Sequence, residues 1–471
     1  MMPDSTFHRL WLVGFAGHRH IGDEAATKAV LRRELDAMAA SLTGEIVGVS
    51  SAAAGADLLF LEACQEAGFK TIVLLPFTRA RFAEDFSDPT EWQRASGLID
   101  SAWWHEQVAG NEDAPAAYHV VAREILTLSD RMIFLWDGKP PRGLGGTAET
   151  VADAEKWQIP SRIVDAISLE GKWQSATIRN DPFEPAFKDL PAVDSIDSLF
   201  SKLDRRAVSR APRSRWFNAG SMSVNHVATF LQASLLALSI AKEMGGLIKF
   251  TLALIAAGLP WVGARMRLQQ AWVVDRTRAE LLRSLLVSHE PASPLHPPAL
   301  ELFGNHASFL RSASLQLVAE RRGWSAARDS YLTARIDDQI GYLAKQATKA
   351  QKRLKILTRI FQLSSLGAML LGAATIYIHL NKVFIPSHFD IWAIGFFPAI
   401  LPGLAAWSLA MISVFELKRR ARIYSKLVAE LKLLRPKLAS TECASTTASL
   451  IRHCEHLLMQ ELWEWQGSRI K

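Results

Sequence analysis

The chain has 471 residues, of which 49% are hydrophobic, and a formal net charge of +7. Its mean hydropathy of +0.07 is high for a wholly soluble protein. Three cysteines, Cys64, Cys443 and Cys454, are too few and too scattered for a disulfide framework or a zinc site, which fits a reducing cytosol.

Residues 1 to 215 mix charged and apolar stretches as globular proteins do. Met1 to Leu10 lacks the apolar run of a secretory signal, so membrane insertion is expected from internal segments. Leu10 to Phe15 (LWLVGF) predicts a buried strand that ends in Gly14, Phe15, Ala16, Gly17, His18 and Arg19, before a helix over Ala25 to Leu42. Glu45 to Val49 predicts a second strand, closing through Ser50, Ser51 and Gly55 to Asp57 and opening a helix over Leu58 to Ala67. Thr71 to Leu75 supplies a third strand, ended by Pro76, after which Arg79, Arg81, Glu84 and Asp85 follow a strand end as pocket-rim candidates. Trp103, Trp104 and His105 read as an aromatic cluster in an insert between Pro89 and Pro115. A helix around Val120 to Leu128 feeds a strand over Arg131 to Trp136. Beyond it Gly143, Gly145, Gly146 and Thr147 open a helix to about Trp157, and Ile163 to Val164 gives a last short strand. The alternation predicts an α/β, Rossmann-like domain with a mainly parallel sheet.

Three of these strand ends carry small, Gly-rich turns that open helices. At the carboxyl edge of such a sheet, glycines let the backbone approach a ligand, and helix N-termini offer unpaired N–H groups to phosphate. The candidate nucleotide-binding set is Gly14, Gly17, His18, Arg19, Ser50, Ser51, Gly55, Asp57, Gly143, Gly145, Gly146, Thr147 and Glu149. His18 and Arg19 bring donors and charge, Ser51 and Thr147 bring hydroxyls, and Asp57 or Glu149 suits ribose hydroxyls. None of the loops is a Walker A or a full G-x-G-x-x-G sequence.

Residues 168–214, rich in Asp and Pro, read as a linker. From Trp216 onward long blocks lack formal charge. Ile360 to Asn381 and Ile391 to Phe415 are each long enough to cross a bilayer. Trp216 to Ala241, diluted by Asn218, Asn225, His226 and Gln232, and Gly245 to Ala264, with Lys249 near one end, pair as an earlier hairpin. Four membrane helices in an all-α region follow, in two hairpins. Basic residues flank both ends of each: Arg205 to Arg215 and Arg265 to Arg278 for the first, Lys345 to Arg359 and Lys418 to Arg422 for the second. Positive charge stays on the cytoplasmic side, so both termini are expected there, in a cytoplasmic (inner) membrane. The basic balance is thereby accounted for, and a nucleic-acid partner loses its main support.

The expected organisation is a nucleotide-binding domain at 1–167, the linker at 168–214, and a first hairpin with stalk helix at 215–287. A Pro-rich linker with a connecting helix follows at 288–325, a second hairpin with stalks at 326–436, and an amphipathic C-terminal helix at 437–471 suited to self-association or to packing on the stalk. His453 and Cys454 are adjacent and point apart, so no metal site is expected.

Tyr331, Arg335, Gln339, Tyr342 and Lys345 before the second hairpin, and Trp272, Arg276, Glu280 and Arg283 after the first, resemble the SLATT family of two-helix membrane modules over about 216 to 436, with room for two copies. The resemblance implies a membrane-disrupting or pore-forming effector in bacterial conflict systems, acting on membrane lipid as a homo-oligomer. Residues 9 to 165 resemble the SLOG superfamily through Gly14 to Arg19, Ser50 to Asp57 and Gly143 to Thr150. The last stretch looks like the LOG signature P-G-G-x-G-T-x-x-E, with Gly143, Gly146, Thr147 and Glu149 in or beside register. Thr150 stands where the catalytic Glu would be, Leu144 replaces the second Gly and Arg142 a Pro. A hydroxyl does not stabilise an oxocarbenium-like charge as a carboxylate does. The expected function is therefore a membrane effector, gated by a nucleotide-derived ligand of cyclic-nucleotide or ADP-ribose type in anti-phage defence, with no catalytic residue. The alternative is a membrane-anchored nucleoside-5'-monophosphate phosphoribohydrolase working through Glu149 or Asp137.

Overall fold

A computed structural model describes residues 7–110, 113–140, 145–174, 195–238, 242–265, 268–290, 293–298, 300, 302–318, 323–381, 384 and 391–467. The chain divides into two units: one of Met1–Ser195, Pro294–His296 and Phe303–Gln316, the other of Ile196–Ser293, Pro297–Leu302 and Leu317–Lys471.

In the first unit the apolar runs become strands β1 (Leu10–Gly17), β2 (Glu45–Ser50), β3 (Lys70–Leu75), β4 (Trp104–Gln107), β5 (Arg131–Trp136), β6 (Ser161–Asp165) and β7 (Gly171–Trp173). Their spatial order is β4-β3-β2-β1-β5-β6-β7, parallel except for β7 against β6. Helices α1 (Glu24–Ser41), α2 (Ala56–Glu66), α3 (Arg79–Ala83), α4 (Pro89–Ser101), α5 (Ala114–Leu128) and α6 (Thr147–Lys156) make the connections. One core sheathes each face of the sheet, with Phe15, Phe60 and Val73 on one side and Leu12, Val49, Ile125 and Phe134 on the other. That two-sided burial explains why the central strands are near-continuous hydrophobic runs.

The predicted α/β domain with a mainly parallel sheet is thus found, with additions at its margins. The insert expected between Pro89 and Pro115 is a helix and an edge strand. Pro89 begins α4, where its missing N–H costs nothing, and Asp88 caps it by accepting from Thr90 N at 2.8 Å. Trp104 to Gln107 pair with Ile72 to Leu75. Trp103 donates its backbone N–H to Thr71 O and lies under the Lys70 ammonium, 4.3 Å from the ring centre. These tryptophans are half-buried against the sheet. Part of the segment expected as a Pro-rich linker also belongs to this unit. Helix α10 (Ala307–Gln316) is held by Ser312 Oγ accepting from Leu10 N (3.0 Å), Gln316 donating to His8 O (2.9 Å) and Arg311 donating to Leu128 O (3.2 Å).

The second unit is helical: α7 (Ile196–Ala237), α8 (Lys242–Arg265), α9 (Leu268–Ser288), α11 (Trp324–Leu380, with a wider π-type turn at Leu332–Asp337), α12 (Phe397–Val414), α13 (Leu417–Ala439) and α14 (Ala444–Gly467). Three described helical stretches are long and apolar enough to cross a membrane: Gly245–Val262, one within Trp324–Leu380, and one within Phe397–Ala439. The first predicted segment, 216–241, falls on the second half of α7 and reaches residues outside those described. Its amides and hydroxyls keep it below the apolarity of the other three.

Candidate functional site

A cavity of about 470 Å³ opens at the carboxyl ends of β1 and β5, where the strand order reverses. This is the switch point at which doubly wound sheets leave a crevice, since the connections from neighbouring strands depart to opposite faces. The end of β1 contributes Phe15 to Arg19, the turn after β2 contributes Ser51, Ala53 and Asp57, and the loop into α6 contributes Gly145, Gly146, Thr147 and Thr150. Helix α5 closes the remaining side with Pro115, Tyr118, Val121 and Ile125.

Of the residues singled out from sequence, Gly17, His18, Arg19, Ser51, Asp57, Gly145, Gly146 and Thr147 therefore line one space. Gly14, Ser50, Gly55 and Glu149 do not line it, and Gly143 lies outside the described residues. Gly14 serves packing: a Cβ there would sit 2.1 Å from Ser129 Oγ and 2.4 Å from Met132 Sδ. Gly55 lets the turn after β2 pass the end of β1. Its φ is +86°, and a Cβ would stand 2.1 Å from Arg19 O. Its N–H is taken by Glu91 at 3.0 Å, and Ala56 N donates to His18 O at 3.0 Å, so the start of α2 is already partnered by protein.

The start of α6 differs. Its N-cap is Gly146, whose lack of a side chain leaves the first-turn amides without a side-chain cap. Thr147 Oγ1 donates to Gly17 O at 3.0 Å, pinning this helix start to the end of β1. Thr150 Oγ1 donates back to Gly146 O at 3.1 Å. Glu149 turns away from the cavity lining and closes the loop: its carboxylate accepts from Gly145 N at 2.6 Å and lies 3.3 Å from His119 Nδ1.

Two lining charges have contrasting surroundings. Arg19 lies over the Tyr118 ring at 4.8 Å and has no carboxylate partner among the described residues, leaving a cation for an anionic guest. Asp85 is occupied, accepting from Tyr118 Oη and from Arg81, both at 2.8 Å. Burial pushes the Tyr118 hydroxyl well above its ordinary value, and the bond to Asp85 adds to that while Arg19 opposes it. Burial also pushes the Asp57 carboxyl up, against the hydroxyls of Ser51 and Ser50 and the amides of Ala53 and Ser51. Ser51 Oγ donates to Asp57 Oδ2 at 2.5 Å, so this pair is a buried brace under the β2 turn. His18 Nε2 is 3.0 Å from Asp137 N and 3.2 Å from Asp137 Oδ1. The Asp137 carboxyl is lowered to about 2, by Lys139 first and with a smaller contribution from His18. Among the described residues no three His, Cys, Asp or Glu side chains gather as a metal site.

Sequence reasoning missed Tyr118 and passed over Thr150 as a binding residue. Asp113, capping α5 by accepting from Ala116 N, with Pro115 in its first turn, was the available signal that α5 begins six residues before Val120 and carries Tyr118 to the crevice.

In the helical unit, the stalk end of α11 meets α13 and α14 in an apolar core of Tyr331, Ile336, Leu343, Leu431, Ile451 and Cys454. Inside it Arg335 and Glu455 form a two-pronged pair at 2.9 and 2.8 Å, and Tyr331 donates to the same carboxylate at 2.8 Å. Arg435 makes a second fork, exposed, onto Asp337 at 2.6 and 2.8 Å. After the first hairpin, Arg276 and Arg283 of α9 bracket Glu280 and both reach Asp204 of α7.

Residues 331–465 match the family model described as SMODS and SLOG-associating 2TM effector domain 1. That segment runs from Tyr331, through both membrane helices of the second hairpin, to Trp465 in the last turn of α14. It contains Arg335, Gln339, Tyr342 and Lys345, which carry the SLATT resemblance before the second hairpin, whereas Trp272, Arg276, Glu280 and Arg283, on which it also rests after the first, lie outside the matched residues. The matched segment extends past Pro436 to include α14, whose Glu455 completes the buried pair. No curated protein matches the chain.

Proposed function

We propose that this protein is a ligand-gated membrane effector: a nucleotide-derived anion binds the cavity of the first unit and shifts the packing of the membrane helices, in bacterial anti-phage defence. The observation that carries the reading is the cavity itself, which joins the uncapped start of α6 to an Arg19 without a carboxylate partner among the described residues. Its volume lies within the roughly 300–1,000 Å³ of small-molecule sites. The phosphate sits over Gly145, Gly146 and Thr147, and the Arg19–Tyr118 pair holds the base or a second phosphate.

A route for coupling exists along the chain. Val121 and Ile125 of α5 line the cavity and share a core with Leu295 and Leu315. Leu315 belongs to α10, which lies in sequence between the two hairpins. A ligand that moves α5 therefore acts on a segment covalently joined to both. The ligand shifts the equilibrium only by its differential affinity for the two arrangements.

The phosphoribohydrolase alternative is disfavoured by the placement of Glu149, bound to Gly145 N and off the cavity lining, and by Thr150 at the position of the family's carboxylate. The test uses the full chain in detergent, melted against a panel of cyclic and ADP-ribose-like nucleotides. A ligand at 100 times its Kd stabilises by about 2.7 kcal/mol. Arg19→Ala and Gly146→Asp are expected to remove the shift and the ligand-dependent release of dye from vesicles. Released base, abolished by Glu149→Gln, would replace the sensor reading with the hydrolase.

A further inference from the structure

Helix α7 is too polar to count as a span by composition, yet its neighbours fix its depth. Gly220 lies against Leu259, Ser221 Oγ donates to Ala256 O at 2.6 Å, and Gly245 lies against Leu235. Residues 220–235 thus run antiparallel along the span Gly245–Val262. On another side of α7, Trp407 Nε1 donates to Ser223 Oγ at 3.1 Å, the His226 and Trp407 rings stack at 6.2 Å, and Phe230 meets Phe396 at 5.8 Å. Those partners lie on and just before α12, which begins the helix Phe397–Ala439 that holds a second span. A helix held between two spans shares their depth.

Two faces of α7 remain open between these contacts. One exposes Val227, Leu231 and Leu238, which suits lipid. At ~100° per residue the opposite face carries Asn225 and Thr229 beside the exposed Met222, with Gln232 at its margin. Asn225 is exposed, and neither its amide nor that of Gln232 has a hydrogen-bond partner among the described residues. Thr229 Oγ1 only bonds back to Asn225 O, at 3.2 Å. Unpaired amides facing hydrocarbon are strongly disfavoured, so this face requires polar company. A carboxamide is both donor and acceptor, so the same face of another copy complements it.

We propose that the Asn225–Thr229–Gln232 face of α7 is where copies of this chain meet within the membrane, and that it lines the water-filled path between them. The contact stands on the geometry of the helical unit alone; its role in ion flow rests on the effector reading. The test places single cysteines at Asn225→Cys and Leu231→Cys in the full chain in membranes, in a Cys443→Ser background, since Cys64 and Cys454 are buried and Cys443 is exposed. Under oxidation the 225 variant is expected to shift from single-chain to double-chain mobility, and the 231 variant to stay at background. Asn225→Leu with Gln232→Leu is expected to insert at wild-type level and lose its oligomer. Failure of the 225 variant to cross-link, or a wild-type oligomer in the double Leu variant, overturns the contact. Cross-linking at 225 with no nucleotide-dependent leak leaves the contact standing and removes the gating reading. Leakage that persists at wild-type rate in the double Leu variant overturns the path.

Discussion

Glu455→Ala isolates the pair that fastens the C-terminal helix to the stalk. Glu455 is fully buried and accepts from Tyr331 Oη, Arg335 Nε and a terminal Arg335 nitrogen, while Arg335 is 3% exposed. Burial works against the Arg335 charge, but the Glu455 carboxylate beside it overcomes that and holds the guanidinium above its ordinary value. Removing the carboxylate leaves a buried cation and a buried phenol unpartnered, a loss of about 3–5 kcal/mol. For a helical unit of this size each kcal/mol moves the midpoint by roughly 2–4 °C, so a fall of about 6–20 °C is expected. The assay is thermal unfolding of the full chain in detergent, read by tryptophan fluorescence and by hydrogen exchange across Ala444–Gly467. Replacing both partners, Arg335→Leu with Glu455→Leu, is expected to recover most of the loss, because two apolar side chains need no desolvation of charge. A Glu455→Ala chain that melts within about a degree of wild type, or a double variant no better than the single, would refute the assignment of the pair as the clasp.

Two further outcomes follow from the first unit. The raised Asp57 pKa means that its burial favours the protonated carboxyl: the associated stability is full below the ordinary value of 3.8 and is lost as pH rises toward the native value. Asp57→Asn is therefore expected to melt above wild type at pH 7, with the gap closing on acidification below 3.8; melting curves from pH 3 to 8 check this, and a pH-independent gap refutes it. Gly55→Ala must abandon a φ of +86° or push its Cβ into Arg19 O, costing about 1–3 kcal/mol in strain alone. It is expected to weaken nucleotide binding as well, by displacing Arg19, which paired melts with and without ligand would reveal.

Legibility followed the source of stability. Strands β1, β2, β3 and β5 were visible because both their faces are buried, leaving unbroken apolar runs between turns. Strand β4 was not: Trp104-His105-Glu106-Gln107 is half-exposed, and only the ladder to β3 makes it a strand. In the site, the glycine turns were legible as helix openings, but not which of their amides were free. Glu91 takes the Gly55 N–H from across the fold, and Glu149 takes that of Gly145 after a helical turn. Tyr118 entered the cavity from a helix with no binding motif of its own.

The sequence by itself marked three of the four expected spans, because solvation by hydrocarbon acts on each segment alone: a long apolar stretch needs no partner to be read. It also determined the alternation of β1, β2, β3 and β5 with α1, α2, α5 and α6, since local period and Gly-rich turns are local properties. Which strand ends converge, which carboxylates are already occupied, and that a helix as polar as α7 packs against two apolar spans were decided by tertiary structure. Those depend on distances between residues far apart in the chain, and a buried charge or amide is defined by its neighbours.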